Sequence, residues 1–261
     1  MGHHNRHFAG DEHALSGVWS PPTSSANFCE EDYVVTRWIA EFINTLTNLM
    51  YVYFAVRQMA ARNPRGQLAL RPDTMSVSLL VLGVCSFLFH ATLRQSMQFA
   101  DELAMLGLAW AMLLGIISIG PASAYDAALK AGLALFFPAF SAFYVWSGQI
   151  IYHATAFMII LILITLRGYY LLYGPLAQLP EAKSKEWRAR GTTALAVLVF
   201  GYALWHVDLE CCAELRALRK SVGLPWAWLL EMHGWWHVLT AVSADMFMRN
   251  VKDVQKALKS E

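Results

Sequence analysis

The sequence predicts an all-α polytopic membrane protein, a bundle of seven transmembrane helices with a lumenal or extracellular N-terminus and a cytosolic C-terminus. Three observations predict it. Hydrophobic residues make up 57% of the 261 residues and charged residues only 15%, where a soluble domain carries roughly 25% charged. A water-soluble core of this size cannot hide that apolar excess, because its surface needs polar cover. Seven apolar stretches follow one another along the chain, and each crossing needs about 20 residues. Basic residues also fall unevenly between alternate connections. The net charge of +1 and the four cysteines exclude a nucleic-acid binder driven by bulk charge and a disulfide-dense secreted mini-protein. The apolar content excludes a disordered chain.

Residues 1–26 read as a mobile tail rich in His, Gly, Ser and Pro. No positively charged start leads into an apolar run with a small-residue cleavage site, so no secretory signal peptide is expected. His3, His4, His7 and His13 belong to that tail and lack the fixed geometry that metal binding needs. The apolar stretches cover 34–56, 74–92, 103–119, 127–146, 150–172, 192–206 and 225–248. Breakers and charge mark the linkers: Arg62-Asn63-Pro64-Arg65-Gly66, Gly120-Pro121, Ser147-Gly148, and Gly174-Pro175 onward to Gly191. Residues 27–248 thus form one seven-helix domain, and 249–261 a basic cytosolic tail. No internal repeat is visible.

Orientation follows from the preference of Lys and Arg for the cytosolic side. With the N-terminus outside, that side holds Arg57, Arg62, Arg65, Arg71, Lys130, Arg167, Lys183, Lys185, Arg188, Arg190, Arg249, Lys252, Lys256 and Lys259, which is 14 of the 20 Lys and Arg. The other side holds Arg6, Arg37, Arg94, Arg216, Arg219 and Lys220.

Ionisable residues inside spans are costly and mark function. The first stretch carries Arg37, Glu41, Asn44 and Asn48, spaced to share one helical face. Asn44 and Asn48 suit helix–helix hydrogen bonds; a carboxylate at Glu41 wants a cation. The second stretch ends with Ser86 and His90, and the third opens with Asp101 and Glu102. The seventh holds His233 and His237, whose i, i+4 spacing aims two imidazoles at one point. No Glu follows His233, so this is not the HExxH motif of metalloproteases. The orientation puts Glu41, Ser86, His90, Asp101, His233 and His237 at one depth near the outer face. Three His ligands with an open position are the arrangement of catalytic zinc. His153 and His206 compete with His90 for the third place. His90 is preferred because Ser86 and Asp101 accompany it; His153 reads as a hydrogen-bonded interior residue, and His206 with Asp208 as an interfacial pair.

Cys29 and the pair Cys211-Cys212 fall on the oxidising side, so Cys29 is expected to pair with one of the two. Cys85 reads as a buried free thiol. Asn27, Glu30, Asp32 and Glu41 offer oxygen ligands suited to calcium. Composition alone favours the plainer reading of a solvated acidic run that caps the first helix.

The segments 27–36 and 39–45, Ser86-Phe87-Leu88-Phe89-His90-Ala91-Thr92-Leu93, Gln98-Phe99-Ala100-Asp101-Glu102-Leu103 and His233-Gly234-Trp235-Trp236-His237 together resemble the alkaline ceramidases. Trp205-His206-Val207-Asp208 with Cys212 and Leu215-Arg216 is similar to the family's last loop. The resemblance runs in order from about residue 27 to 248. It favours the ceramidases over their distant seven-helix relatives, the adiponectin and progestin receptors. It implies zinc on His90, His233 and His237, catalysis by Asp101 and Ser86, and a disulfide between Cys29 and Cys212. It also implies a structural or regulatory calcium ion on Asn27, the carbonyl of Phe28, Glu30, Asp32 and Glu41, reversing the solvated reading of the acidic run. Asn27 and Phe28 depart from the family's frequent Asp and Trp; Asn removes one charge from the calcium site.

The function implied is an amidohydrolase that cleaves ceramide, including dihydro- or phytoceramide, to a sphingoid base and a fatty acid within the bilayer. Zinc would activate water, Asp101 would serve as general base and then proton donor, and Ser86 would steady the oxyanion. The expected location is the endoplasmic reticulum or Golgi membrane. Ceramide and the bilayer are the expected partners, with no nucleic acid and no obligate protein partner. A receptor with structural zinc is the rival reading, against which Asp101 beside Ser86 argues. A lipid or ion transporter is the third, weakened by the absence of a repeat.

Overall fold

The computed structural model describes residues 11–62, 68–119, 124–178 and 181–259. The tail histidines His3, His4 and His7 and the linker residues 63–66 and 120–121 lie outside them. Among the described residues the chain is mostly helical, and five helices are long and apolar enough to cross a membrane: Thr74–Thr92, Gln95–Ile117, Asp126–Ser147, Ile150–Tyr173 and Glu181–Glu210. These mark a membrane protein.

The first apolar stretch does not form one helix. Residues 34–41 are turns with a single bridge between Thr36 and Ile39, and helix starts only at α1 (Phe42–Thr47), followed by α2 (Leu49–Met59). Arg37 therefore lies outside the helix and does not share a helical face with Glu41. The side chains of Thr45, Thr47 and Asn48 hydrogen-bond the carbonyls of Glu41, Ile43 and Asn44, the local competition with backbone that unsettles helices in Ser-, Thr- and Asn-rich runs. A short antiparallel pair, β1 (Ala60–Arg62) and β2 (Leu68–Leu70), follows.

Helix α3 (Thr74–Thr92) begins in a capping box, with the Asp73 side chain accepting from the Ser76 backbone N–H at 3.2 Å. It ends where Leu93 turns left-handed. Helix α4 (Gln95–Ile117) starts eight residues before the apolar run at 103, which carries Asp101 and Glu102 into its second turn. Helices α5 (Ala124–Ser147) and α6 (Ile150–Tyr173) meet at Gly148, whose φ of 64° suits glycine. Helix α7 (Glu181–Glu210) begins in a charged segment well before the sixth apolar stretch. An amphipathic helix α8 (Cys212–Val222) then fills the last loop. Helix α9 (Met232–Lys259) runs unbroken past residue 248.

The most extensive packing joins α7 to α9 and α3 to α4. The core gathers Leu79, Leu82, Leu108, Met112, Ala241 and Met248. A cavity of about 380 Å³ lies between α4, α6, α7 and α9. Part of the segment expected as a tail is laid on the body: Val18 N–H donates to the Arg37 carbonyl at 2.9 Å, Ser25 N–H donates to Gln98 Oε1 at 2.8 Å, and Asp11 pairs with Arg216.

Candidate metal centre

Four elements build the centre. The backbone N–H groups of Ala40 and Glu41 donate to the carbonyls of Ala91 and His90 at 3.0 Å, so the chain entering α1 is tied to the end of α3. At Gly234 a Cβ would stand only 3.2 Å from Ile43 and 3.3 Å from Thr47. Glycine there lets the start of α9 approach α1.

These contacts bring His90, His233 and His237 together. All three are buried, and one ring nitrogen from each lies within 4.8 Å of the others. His90 Nδ1 meets Glu41 Oε2 at 2.5 Å, and His237 Nδ1 meets Thr47 Oγ1 at 3.0 Å. Engaging both Nδ1 atoms leaves both Nε2 atoms to face an ion, the arrangement in which outer partners orient metal-binding imidazoles. Phe28 stacks on His233 with ring centroids 3.6 Å apart. The donor set, three imidazoles in a buried, converging group, could hold a metal ion. Among the described residues no second group of three His, Cys, Asp or Glu converges this closely.

Ser86 and Asp101, from α3 and α4, are buried within hydrogen-bonding reach of each other. Asp101 Oδ1 is buried without a hydrogen-bond partner. The two residues thus form an acid–hydroxyl pair with one carboxylate oxygen to spare, and the Tyr51 ring lies 6.2 Å from the His237 ring.

Beside the histidines lies the acidic loop. Glu30, Asp32 and Glu41 are all buried. Glu30 accepts from the N–H groups of Ile43 (2.7 Å) and Asn44 (2.8 Å), so it does cap α1, but from a buried position. Glu41 Oε1 accepts from Phe28 N–H at 3.1 Å, and Asn27 Nδ2 donates to Asp32 Oδ2 at 3.5 Å. Burial pushes the Glu30 and Asp32 carboxyls up, Asp32 to about 8, and the neighbouring Glu41 carboxylate adds to both shifts. Asp32 Oδ1 has no hydrogen-bond partner. Buried acids with an unused oxygen fit a hard cation by their chemistry. Their oxygens do not converge as the histidine nitrogens do, because Glu30 and Glu41 are turned to backbone N–H groups and to His90.

Cys29 and Cys212 are disulfide-bonded with a Cα–Cα separation of 5.3 Å. Cys211 and Cys85 are free, exposed and half-buried respectively. The bond ties the acidic loop to α8.

A family profile described as Ceramidase matches residues 20–260. The chain belongs to the ceramidase family. It is 30% identical over 229 residues to alkaline ceramidase 3 of Mus musculus, covering 87% of this chain and 82% of that protein. It is 29% identical over 263 residues to alkaline ceramidase YPC1 of Saccharomyces cerevisiae, covering 94% and 80%. It is 25% identical over 231 residues to an alkaline ceramidase of Arabidopsis thaliana, covering 88% and 83%. It is a ceramidase-family enzyme.

In this ceramidase-family chain the two competitors of His90 stand elsewhere. His153 is buried against the Glu102 carbonyl at 3.0 Å, and His206 is exposed beside Tyr202. Asp208 does not pair with His206. It is fully buried and accepts from Cys29 N–H at 3.0 Å and His233 N–H at 3.2 Å, joining the acidic loop to the metal centre. Sequence reasoning missed that role, and those of Thr47, Arg216 and Arg219. Arg219 forms a buried ion pair with Glu231 at 2.5 Å and donates to the Cys29 carbonyl at 2.7 Å. Arg216 also donates to that carbonyl, at 3.0 Å. The available signals were the block similar to the family's last loop, which contains Asp208 and Arg216, and the i, i+3 spacing of Arg216 and Arg219.

Proposed function

We propose that this ceramidase-family enzyme hydrolyses the amide bond of ceramide within the membrane, releasing a sphingoid base and a fatty acid. The observation that supports the reading is three buried, converging histidines near an apolar cavity whose lining includes Trp236, the neighbour of His237, and Tyr51, whose ring lies 6.2 Å from that of His237. A lipid whose hydrocarbon occupies the cavity would present its polar end to that centre. Zinc on His90, His233 and His237 would supply the Lewis acidity that activates water and polarises a carbonyl. Asp101 takes a proton from the attacking water and returns it to the leaving amine. Ser86 donates a hydrogen bond to the developing oxyanion. Burial excludes bulk water and strengthens both interactions.

Calcium held by Asn27, the Phe28 carbonyl, Glu30, Asp32 and Glu41 would neutralise the buried acids and fix the loop that stacks Phe28 on His233. In the proposed topology α1–α2 and α9 complete seven crossings with the N-terminus outside. Supporting this, acids and histidines gather at one end, while Arg57, Arg249 and Lys252 surround Asp245 and Asp73 at the other. A disulfide at the first end suits the oxidising lumen of the endoplasmic reticulum or Golgi.

The test uses the purified full chain, ceramide and paired assays of fatty-acid release and bound metal. Asp101→Asn is expected to keep zinc and lose about 10²–10⁴-fold in kcat. Full turnover after zinc is stripped would overturn the proposal. Calcium chelation should lower thermal stability, with recovery on adding calcium back; no change in either activity or stability would remove the calcium site.

A further inference from the structure

The cavity is long as well as apolar. Its lining on α9 recurs at Trp236, Thr240, Ser243, Phe247, Asn250 and Val254, the spacing of one helical face. From His237 to Asn250 the helix advances 13 residues, about 20 Å at ~1.5 Å per residue. On the opposite wall Ile116 stands 15 residues beyond Asp101 on α4, about 22 Å by the same rise. Half of a bilayer's hydrocarbon core is only about 15 Å. A chain filling this cavity would therefore reach deeper than the leaflet from which it came.

Two glycines, Gly168 on α6 and Gly191 on α7, line the half of the cavity remote from the histidines. A Cβ at Gly168 would find Ile116 at 3.4 Å, and one at Gly191 would find Asn250 at 3.4 Å and Leu172 at 3.6 Å. Those are ordinary contacts for a methyl group, so close helix packing does not require glycine at either position. Mid-helix glycine destabilises a helix relative to alanine. What its absence of a side chain provides here is volume. Polar groups enter the lining at this level: Arg188 donates to the Ser184 carbonyl at 3.2 Å with its guanidinium 5.4 Å from the Tyr173 ring, and Asn250 donates to the Trp187 carbonyl at 2.9 Å.

We propose that Gly168 and Gly191 set the depth of this cavity, about 20 Å from His237 along α9, and so select substrates by the length of one hydrocarbon chain. This rests on the ceramidase reading above and adds its specificity determinant. Leucine at either position would fill the far end and leave the end nearest the histidines unchanged. The glycines act on remote binding energy, which a shortened cavity withholds from long chains alone.

The experiment compares unaltered chain, Gly191→Leu, Gly168→Leu and Gly132→Leu, each in lipid nanodiscs. Gly132 lies on α5 with nothing within 4 Å of an added Cβ, so its variant controls for inserting a leucine into a helix. Two substrate series are used, one graded in acyl length and one in sphingoid-base length. In Gly191→Leu and Gly168→Leu, kcat/KM for the longest members of one series should fall about tenfold or more relative to its shortest members. The other series should show no such trend, which identifies the chain in the cavity. Gly132→Leu should keep the original profile. Equal losses at every length, or an unaltered profile in both glycine variants, would overturn the proposal. Native mass spectrometry of bound lipids reads the same length profile without turnover. Turnover of any ceramide by the unaltered chain tests the underlying reading separately.

Discussion

Helices α3 and α4 differ from α5 and α6 in what surrounds them, although all four are long and apolar enough to span a membrane. In the most apolar window of α3 and α4, 50% and 56% of residues are buried; in α5 and α6 the figures are 6% and 11%. The difference follows their polar content. Helices α3 and α4 carry Ser76, Ser86, His90, Gln98, Asp101 and Glu102, all buried. Helices α5 and α6 contribute few such groups, chiefly Tyr144 and His153, and both turn toward Glu102. Polar groups in a membrane helix must face protein, because hydrocarbon offers them no partner. Apolarity thus says that a helix can enter the bilayer, and the rare polar residues say which helices stand at the centre of the bundle.

The largest effect should come from the centre. His237→Ala should lower ceramide turnover about a thousandfold or more and remove stoichiometric zinc, measured by fatty-acid release and metal analysis. Retained turnover would mean that the buried helices are arranged for packing alone. Next, Leu79→Ala in α3, at a fully buried position, should cost about 2–5 kcal/mol through cavity formation. Leu135→Ala in α5, where the side chain is 75% exposed, should change stability by no more than about 0.5 kcal/mol. Unfolding in graded denaturant compares them, and equal costs would break the distinction between the helix pairs.

A smaller effect is expected one step out from the histidines. Glu41→Gln should weaken zinc binding about 10–100-fold, because Glu41 holds His90 Nδ1; competition with a chelator measures it, and unchanged affinity would remove Glu41 from that role. The smallest concerns the far end of α3. Burial works to raise the Asp73 pKa, but hydrogen bonds from Lys252 and Ser76 outweigh it and hold the carboxyl below its usual 3.8. The unfolded value is then the higher one. The stabilisation is complete above it and is lost as pH falls through the folded value. Asp73→Asn should therefore lower Tm near neutral pH and converge with the unaltered chain in acid. The difference should be no more than about 0.5 kcal/mol, since the Lys252 pair is partly exposed and screened.

Much of the candidate site was legible because it depends on short-range spacing. His233 and His237 announce themselves one helical turn apart, as do Ser86 and His90, and the expected alternation of crossings puts these pairs at one depth. The disulfide partner of Cys29 was narrowed to Cys211 or Cys212 by sidedness, and to Cys212 by family resemblance. What was illegible depends on contacts between distant segments. Asp208 looked like a neighbour of His206, yet helical rotation turns one inward and the other outward. Thr47 carried no sign that it would meet His237. The residues 34–41 are apolar enough to imitate a helix, and only their pairing with the end of α3 explains the turns found there.

By itself the sequence determined that this chain carries helices apolar enough for a membrane and which residues are the candidates for its chemistry, because hydrophobic runs and i, i+4 spacing are local properties. Only the tertiary structure decided which helices are buried, that Glu41 serves His90 as well as the acidic loop, and that two glycines leave a cavity open far from the histidines. Those outcomes depend on how helices rotate and pack against one another, and rotation is set jointly by all the faces that must be buried at once.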